Sequence, residues 1–310
     1  MDKQEDLTKR AEKFWDKEAG TWEIGRGLHW TELIAVHERL NIRISGERYI
    51  DLYLYLQRFM NQMGLPLPVE ACLTLGCGAG GFERALGRYN FCRRHTAYDL
   101  SPEAIRKAKE KAEQEGLSHL DYRTADINSI SLPENEYDIA FGIHSVHHFS
   151  ALEHIFAETA KTLKPEGFFV LYEFVGPTRF QWTDKQLNII NSILQFLPDR
   201  YCRSRKDGVT LIKKHWRPTI EEMNQIDPSE AIRSEDILKV LPSYFEILER
   251  RDLGGTILHM LLDGIAGNFD YDNAKDMKLL RMLFEVEDTL MELGEIPSDF
   301  VLVISRKRTA

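Results

Sequence analysis

The stretch Leu73-Thr74-Leu75-Gly76-Cys77-Gly78-Ala79-Gly80-Gly81-Phe82-Glu83 limits the fold more than any other part of the chain. A short apolar run enters it, glycines crowd its middle, and an amphipathic segment leaves it. That pattern reads as a strand, a tight turn and the start of a helix. Glycines in such a turn allow positive φ and let a ligand approach the main chain closely. The helix that follows offers unpaired N–H groups and the positive end of its dipole. The arrangement belongs to an open α/β sheet and suits a nucleotide-like ligand.

Taken alone, the turn fits two ligand classes. Gly76, Gly78 and Gly81 match G-x-G-x-x-G, the dinucleotide fingerprint of nicotinamide oxidoreductases. Gly76, Gly78 and Gly80 match G-x-G-x-G, the pattern of S-adenosylmethionine sites. Later segments narrow the choice. His95-Thr96-Ala97-Tyr98-Asp99-Leu100 reads as a second strand ending in an acid, about twenty residues past the loop, where a carboxylate can accept from ribose hydroxyls. Ser101-Pro102-Glu103 starts a helix, with Ser at the N-cap and Pro in the first turn. Leu120 to Ile127 reads as a third strand ending at Asp126, whose carboxylate can accept from an adenine amine while Ile127 packs on the ring. Tyr137 to Gly142 is a fourth strand running into Ile143-His144-Ser145-Val146-His147-His148-Phe149. Leu163 to Gly167 is a helix-ending turn that feeds a fifth strand, Phe168 to Glu173.

This series resembles the class I S-adenosylmethionine-dependent methyltransferases, especially the group of small-molecule and ubiquinone-type enzymes. The resemblance covers about Cys72 to Phe174. It implies a Rossmann-like, doubly wound α/β sheet of seven strands with the last antiparallel. It also implies S-adenosylmethionine as cofactor, with S-adenosylhomocysteine as product. Gly76, Gly78 and Gly80, with Cys77 between them, would cradle the methionine part. Asp99 would hold the ribose, Leu100 would flank the adenine, and Asp126 and Ile127 would bind its edge and face. The Gly142 backbone would meet the methionine ammonium, and His148 occupies a widely shared position beside it. The stretch Phe14 to Trp22 is similar to the N-terminal lid of these enzymes, where an aromatic residue near Trp22 closes over the methionine end. One departure stands out. The group carries an acid two positions before the first glycine, and here Thr74 replaces it. That replacement is the feature that supports a non-catalytic cofactor-binding module as a rival reading.

The 310 residues suffice for a large core, with 43% hydrophobic and 29% charged residues. A net charge of −9 argues against a broad nucleic-acid or anionic-membrane surface. The cysteines Cys72, Cys77, Cys92 and Cys202 form no Cys-x-x-Cys pair, so a reduced, cytoplasmic setting is expected. Met1 to Asp6 is charged with no apolar stretch, so no signal peptide is expected, and no apolar run is long enough for membrane insertion. A homo-oligomer is compatible with this composition.

The chain divides into a helical N-terminal lid over 1–68, a cofactor-binding core over 69–175, and a cap insertion over 176–233. The end of the core follows over 234–310, with strands six and seven and a helical insertion at 254–297. Helical spacing marks Asp6 to Lys17, Tyr49 to Met63, Thr256 to Ile265 and Ala274 to Leu293. Both insertions are expected over the carboxyl ends of the strands, where open sheets bind ligands.

Methyl transfer from a sulfonium is an in-line displacement that needs alignment, exclusion of water and often removal of one proton. Imidazole titrates near neutral pH, so His144, His147 and His148 are the candidate proton acceptors. His144 should point toward the methyl group, His147 is intermediate, and Glu173 is a second candidate for touching substrate. No metal site is expected: the three histidines crowd one turn but lack a matching second cluster. The expected activity is methyl transfer to a small-molecule acceptor in a capped pocket, with oxygen slightly favoured as the acceptor atom. No nucleic-acid partner is expected.

Overall fold

The computed structural model describes residues 3–19 and 27–308. Three helices come first: α1 (Lys3–Glu18), α2 (Ile34–Ser45) and α3 (Leu52–Gln62). The core alternates β1 (Val69–Leu75), α4 (Gly81–Arg88), β2 (Cys92–Asp99), α5 (Pro102–Gln114), β3 (Leu120–Thr124), β4 (Tyr137–Ile143), α6 (Leu152–Thr162) and β5 (Leu163–Phe174). Then come α7 (Asp184–Phe196), α8 (Ile220–Ile226), α9 (Ile237–Val240), β6 (Phe245–Gly254), α10 (Leu258–Leu261), α11 (Ala274–Glu292) and β7 (Phe300–Lys307).

The seven strands form one sheet in the order β3-β2-β1-β4-β5-β7-β6. Strands β1 to β5 pair in parallel, and β7 runs antiparallel between β5 and β6. This is the doubly wound sheet expected. Its strand order reverses between β1 and β4, which opens a crevice at their carboxyl ends. Strands covered on both faces carry continuous apolar runs, and β1 is buried at every position but Glu70.

Local chemistry sets the element ends. Ser101 caps α5 by accepting from Ala104 N–H at 3.0 Å, with Pro102 in the first turn. Thr183 and Gln186 close a reciprocal capping box on α7. Gly46, at φ 80°, ends α2. Three expectations shift. The fifth strand starts at Leu163 and takes in the segment read as a turn. The helical run at Thr256 to Ile265 condenses to the single turn α10, because Gly255 and Gly264 take positive φ on either side. The first insertion contains α7 and α8, which its sequence did not mark.

Both insertions share one buried cluster with the sheet. Ile190 and Leu194 of α7, Leu258 of α10, and Leu280 and Phe284 of α11 pack with Val170, Leu302 and Ile304 of the strands. A buried ion pair locks the layers. Arg39 of α2 meets Glu287 of α11 at 2.6 Å, and Glu287 also accepts from the N–H groups of Gly255, Ile257 and Leu258. Among the described residues, no helix is long and apolar enough to cross a membrane.

Candidate active site

The carboxyl ends of β1, β2, β3 and β4 surround a cavity of about 520 Å³. Helix α1 closes one side of it with Leu7, Thr8, Ala11 and Trp15, and the first insertion adds Pro228, Ser229 and Ile232.

The glycine loop forms the floor. Gly76 and Cys77 donate to the Tyr98 carbonyl at 2.8 and 3.0 Å, which ties the loop to the end of β2. Gly76 has φ 75°, and a Cβ there would fall 2.5 Å from Ser145 Cβ. Gly78 has φ 51° and open space where its Cβ would be. Its N–H donates to Asp99 Oδ2 at 2.7 Å, and Asp99 Oδ1 accepts from Ser101 N–H at 2.9 Å. Burial raises the Asp99 carboxyl above its ordinary range, against these hydrogen bonds. Leu100, Asp126, Ile127 and Asn128 continue the wall. Asn128 Oδ1 accepts from Ser150 and Ala151 N–H at 2.8 and 3.0 Å, stapling the turn after β3 to the turn after β4.

At the end of β4 the cavity is lined by Ile143, His144, Ser145, His148 and Phe149. His144 has φ 50°, and its N–H donates to the Tyr172 carbonyl at 2.8 Å. The accessible part of its ring faces the cavity, deep in the protein, and that desolvation pushes the imidazole down to about 4. Its ring meets Tyr172 edge-on at 4.6 Å and Phe300 at 6.2 Å. Around Phe300 stands an aromatic group: His259 lies 5.3 Å from Phe300, 6.1 Å from Phe174 and 5.9 Å from Phe180, and Trp30 lies 5.4 Å from Phe300.

Several expected site residues stand elsewhere. Glu173 is fully buried beneath the site rather than on the cavity wall. Its Oε1 accepts from Ser145 and Val146 N–H, and its Oε2 accepts from His147 Nδ1 at 2.6 Å and Phe174 N–H at 3.0 Å. Those bonds commit the carboxylate to holding the 145–148 turn. His147 is likewise buried and off the wall. Burial lowers its basicity, but the Glu173 charge and hydrogen bond, with Glu230 and Asp227 nearby, more than offset this and raise it to about 8. Gly142 is packed against Val146, so the next residues, Ile143 to Ser145, face the cavity instead. Gly80 caps α4 in the left-handed region, where a Cβ would fall 2.5 Å from the Tyr122 hydroxyl, and its neighbours Ala79 and Gly81 reach the wall. Trp22 lies outside the described residues.

Other contacts go beyond the sequence reading. Trp15, within the stretch read as a lid, has its Nε1 donating to Ser229 Oγ at 3.3 Å, and its ring meets His148 edge-on at 4.9 Å. Of the neighbouring aromatics Phe14 and Trp15 of α1, Trp15 lines the cavity. Asp16 accepts from Ser101 Oγ at 2.5 Å and anchors α1 to the N-cap of α5. Thr74 Oγ1 bonds His95 Nε2 at 2.8 Å, and Glu83 of α4 brings a fully buried carboxyl to the same place. The second cluster that the histidines lacked comes from the insertion. His147, His148 and Glu230 offer ligand atoms within 4.8 Å of one another, with Asp227 beside them.

A methyltransferase-domain family model matches residues 73–171. That segment carries the same glycine loop and strand-end acids that resemble the class I S-adenosylmethionine-dependent methyltransferases. Sterol 24-C-methyltransferase of Aspergillus fumigatus is 31% identical over 133 residues, or 42% of this chain and 35% of that protein. Sterol 4-C-methyltransferase of Caenorhabditis elegans is 21% identical over 226 residues, or 63% of this chain and 66% of that protein. The match thus spans about a third of the fungal relative's length. Geranyl diphosphate C-methyltransferase of Streptomyces coelicolor, solved with Mg2+, geranyl diphosphate and S-adenosylhomocysteine, shares the fold. That likeness covers 97% of this chain and 98% of that one, at 14% identity and a TM-score of 0.54.

The cavity suits S-adenosylmethionine. Open space over Gly78 leaves the loop backbone exposed to a ligand. The carboxylates of Asp99 and Asp126 stand on the wall of a 520 Å³ cavity that also carries apolar groups such as Leu100 and Ile127. A nucleoside meets that donor and acceptor set with its ribose hydroxyls and its adenine amine.

Proposed function

We propose that this chain transfers the methyl group of S-adenosylmethionine to a small, largely apolar acceptor seated beside His144, whose ring packs on the aromatic group around Phe300. The observation that carries the reading is His144. It lines the cofactor cavity and touches the aromatic group through Phe300 at 6.2 Å. When bound, the cofactor supplies a methyl group made electrophilic by its sulfonium. Asp99 would hold the ribose hydroxyls, Asp126 and Ile127 the adenine, and the glycine loop the methionine part. Trp15 and α1 would close the site and exclude water.

Carbon is the favoured acceptor atom. The sterol C-methyltransferase relatives support it, and so does the aromatic group. When a double bond takes up the methyl group, positive charge develops on the carbon next to the one methylated, and ring faces stabilise it. His144, neutral at physiological pH because burial holds it at about 4, would then accept the released proton. Oxygen is the second reading, and the same imidazole supports it by taking a hydroxyl proton. A reduced cytoplasmic setting belongs to this reading, with all four cysteines free.

The test is labelled-methyl transfer to a panel of sterol-like, isoprenoid and phenolic acceptors, alongside calorimetry with S-adenosylhomocysteine. The reading predicts homocysteine-analogue binding and one labelled apolar product. Binding without any labelled product from the panel would favour a non-catalytic module, and absence of binding would overturn the site assignment.

A further inference from the structure

We infer that the junction between the β4 turn and the first insertion is a binding site for a divalent first-row transition-metal ion such as Zn2+. His147, His148 and Glu230 would ligate it, and Asp227 stands behind His148 on the Nδ1 side of its ring, where it would act as an outer partner of the ligating imidazole. The proposal goes beyond methyl transfer and does not depend on it.

The hydrogen bonds fix which nitrogens are free. A carboxylate only accepts, so the 2.6 Å contact with Glu173 places the proton of His147 on Nδ1. In the neutral ring, the form that binds a metal ion, its Nε2 carries the lone pair, 3.5 Å from Glu230 Oε1. The Ser229 hydroxyl gives its one proton to Asp227 Oδ1 at 2.7 Å. It can therefore only accept from His148 Nδ1, at 3.2 Å, which leaves the Nε2 of His148 unprotonated in the neutral ring. Both imidazoles are thus held by an oxygen on one side and carry a lone pair on the other. That is the outer-shell pattern of metal-ligating histidines.

The separations fit. Two donors at about 2.1 Å from one ion stand roughly 3.0 to 4.2 Å apart, from right-angled to opposite positions. The 3.5 Å Nε2 to Oε1 distance lies in this range, and one ligand atom from each of the three residues falls within 4.8 Å of the others, close enough for small side-chain shifts to bring them onto one ion. A second observation also points at a cation. Asp227 is 2% exposed, its Oδ2 has no hydrogen-bond partner, and that oxygen lies 3.7 Å from His148 Nδ1. An unpaired buried carboxylate oxygen is costly unless a cation meets it. The cluster is not sealed, since the Glu230 side chain keeps 22% exposure and His148 keeps 14%.

Two imidazoles with one carboxylate suit Zn2+, Fe2+ or Co2+ rather than Mg2+ or Ca2+, which prefer all-oxygen cages. The site would join β4 to the insertion across some eighty residues of sequence, on the wall where His148 and Ser229 meet the cavity.

The test uses the full chain, stripped with chelator and titrated with Co2+ and Zn2+. Expected is one ion per chain, visible d–d bands for Co2+ that Zn2+ displaces and Mg2+ does not, and release of protons on binding. Glu230→Gln and Asp227→Asn should each lower Zn2+ affinity at least about tenfold. Folding of each variant is checked by thermal unfolding, and because Glu230 is the most exposed ligand its variant should stay folded if Asp227→Asn does not. Stoichiometric binding unchanged in a folded Glu230→Gln would place the ion on surface histidines and overturn the proposal. Absence of saturable Co2+ and Zn2+ binding by the stripped wild type would overturn it as well, leaving the cluster as an ion-pair network.

Discussion

At the scale of single residues, the site makes three demands that can be measured. Asp99 already accepts from Gly78 and Ser101 N–H, and ribose hydroxyls would add to those bonds. Asp99→Ala should weaken S-adenosylhomocysteine binding by about 1.5–3 kcal/mol by calorimetry, the size of a lost charge-assisted bond. Gly78 has φ 51° and faces open space, so Gly78→Val should abolish that binding while circular dichroism shows the fold retained. His144 is held near 4, so it is already in its basic form at neutral pH. His144→Asn should keep cofactor affinity and lower turnover about 10²-fold. The wild-type rate should stay flat through neutral pH and fall only as pH drops through about 4, where His144 gains a proton. The ordinary imidazole value of about 6.5 would place that fall near neutrality instead. Sequence alone suggests the neutral inflection, because burial of a side chain depends on neighbours such as Tyr172 and Phe300 that are far along the chain. That the glycine loop, Asp99 and Asp126 meet at one cavity was legible because each follows a strand whose pattern is local. The contact of Trp15 with Ser229 was not, since it joins positions 214 residues apart. Glu173 misled because a strand-end acid looks alike whether it faces a cavity or ties down a turn.

At the scale of elements, α2 and α11 are held by one buried pair. Arg39→Met would leave Glu287 without its guanidinium partner at 0% exposure. Removing one member of a buried pair costs about 3–5 kcal/mol, so the urea midpoint should fall accordingly with little change in m. The lid makes a separate prediction. Helix α1 reaches the body through Trp15 to Ser229, Asp16 to Ser101 and Arg10 to the Asn224 carbonyl. Trp15→Ala should loosen the lid, raise the S-adenosylhomocysteine dissociation constant and leave global stability nearly unchanged. An unaltered constant would separate the lid from the cofactor. The strands were legible because alternation and strand spacing are local signals, and the antiparallel direction of the last one came from the family resemblance. Helices α7 and α8 escaped because tertiary packing, with Ile190, Leu194 and Met223 buried, stabilises segments whose pattern is weak.

At the scale of the whole molecule, buried ionisable groups pull stability in opposite directions with pH. Burial holds His259, like His144, at about 4, below the ordinary imidazole value. Their neutral forms favour the fold, so this contribution is complete above about 6.5 and declines as pH falls toward 4. Asp299 is raised to about 8, by burial first and then by the Glu287 charge. Its contribution is complete below about 3.9 and is lost as pH rises through 8. Asp299→Asn should therefore gain thermal stability over wild type progressively from mildly acidic pH up to about 8, then by a constant amount. A melting-temperature difference that does not vary with pH would remove Asp299 from this account. The strand order has a consequence for biosynthesis. Strand β7 inserts between β5 and β6, yet the ribosome makes it after both. Until residues 300–307 emerge, the apolar edge of β5 and all of β6 have no partner. At typical elongation rates the interval between β5 and β7 lasts on the order of ten seconds. An open edge bearing Val170 and Leu171 invites pairing with other nascent chains during that time. Yield of soluble protein should then depend on slowing initiation and supplying chaperones more than on raising the stability of the finished fold.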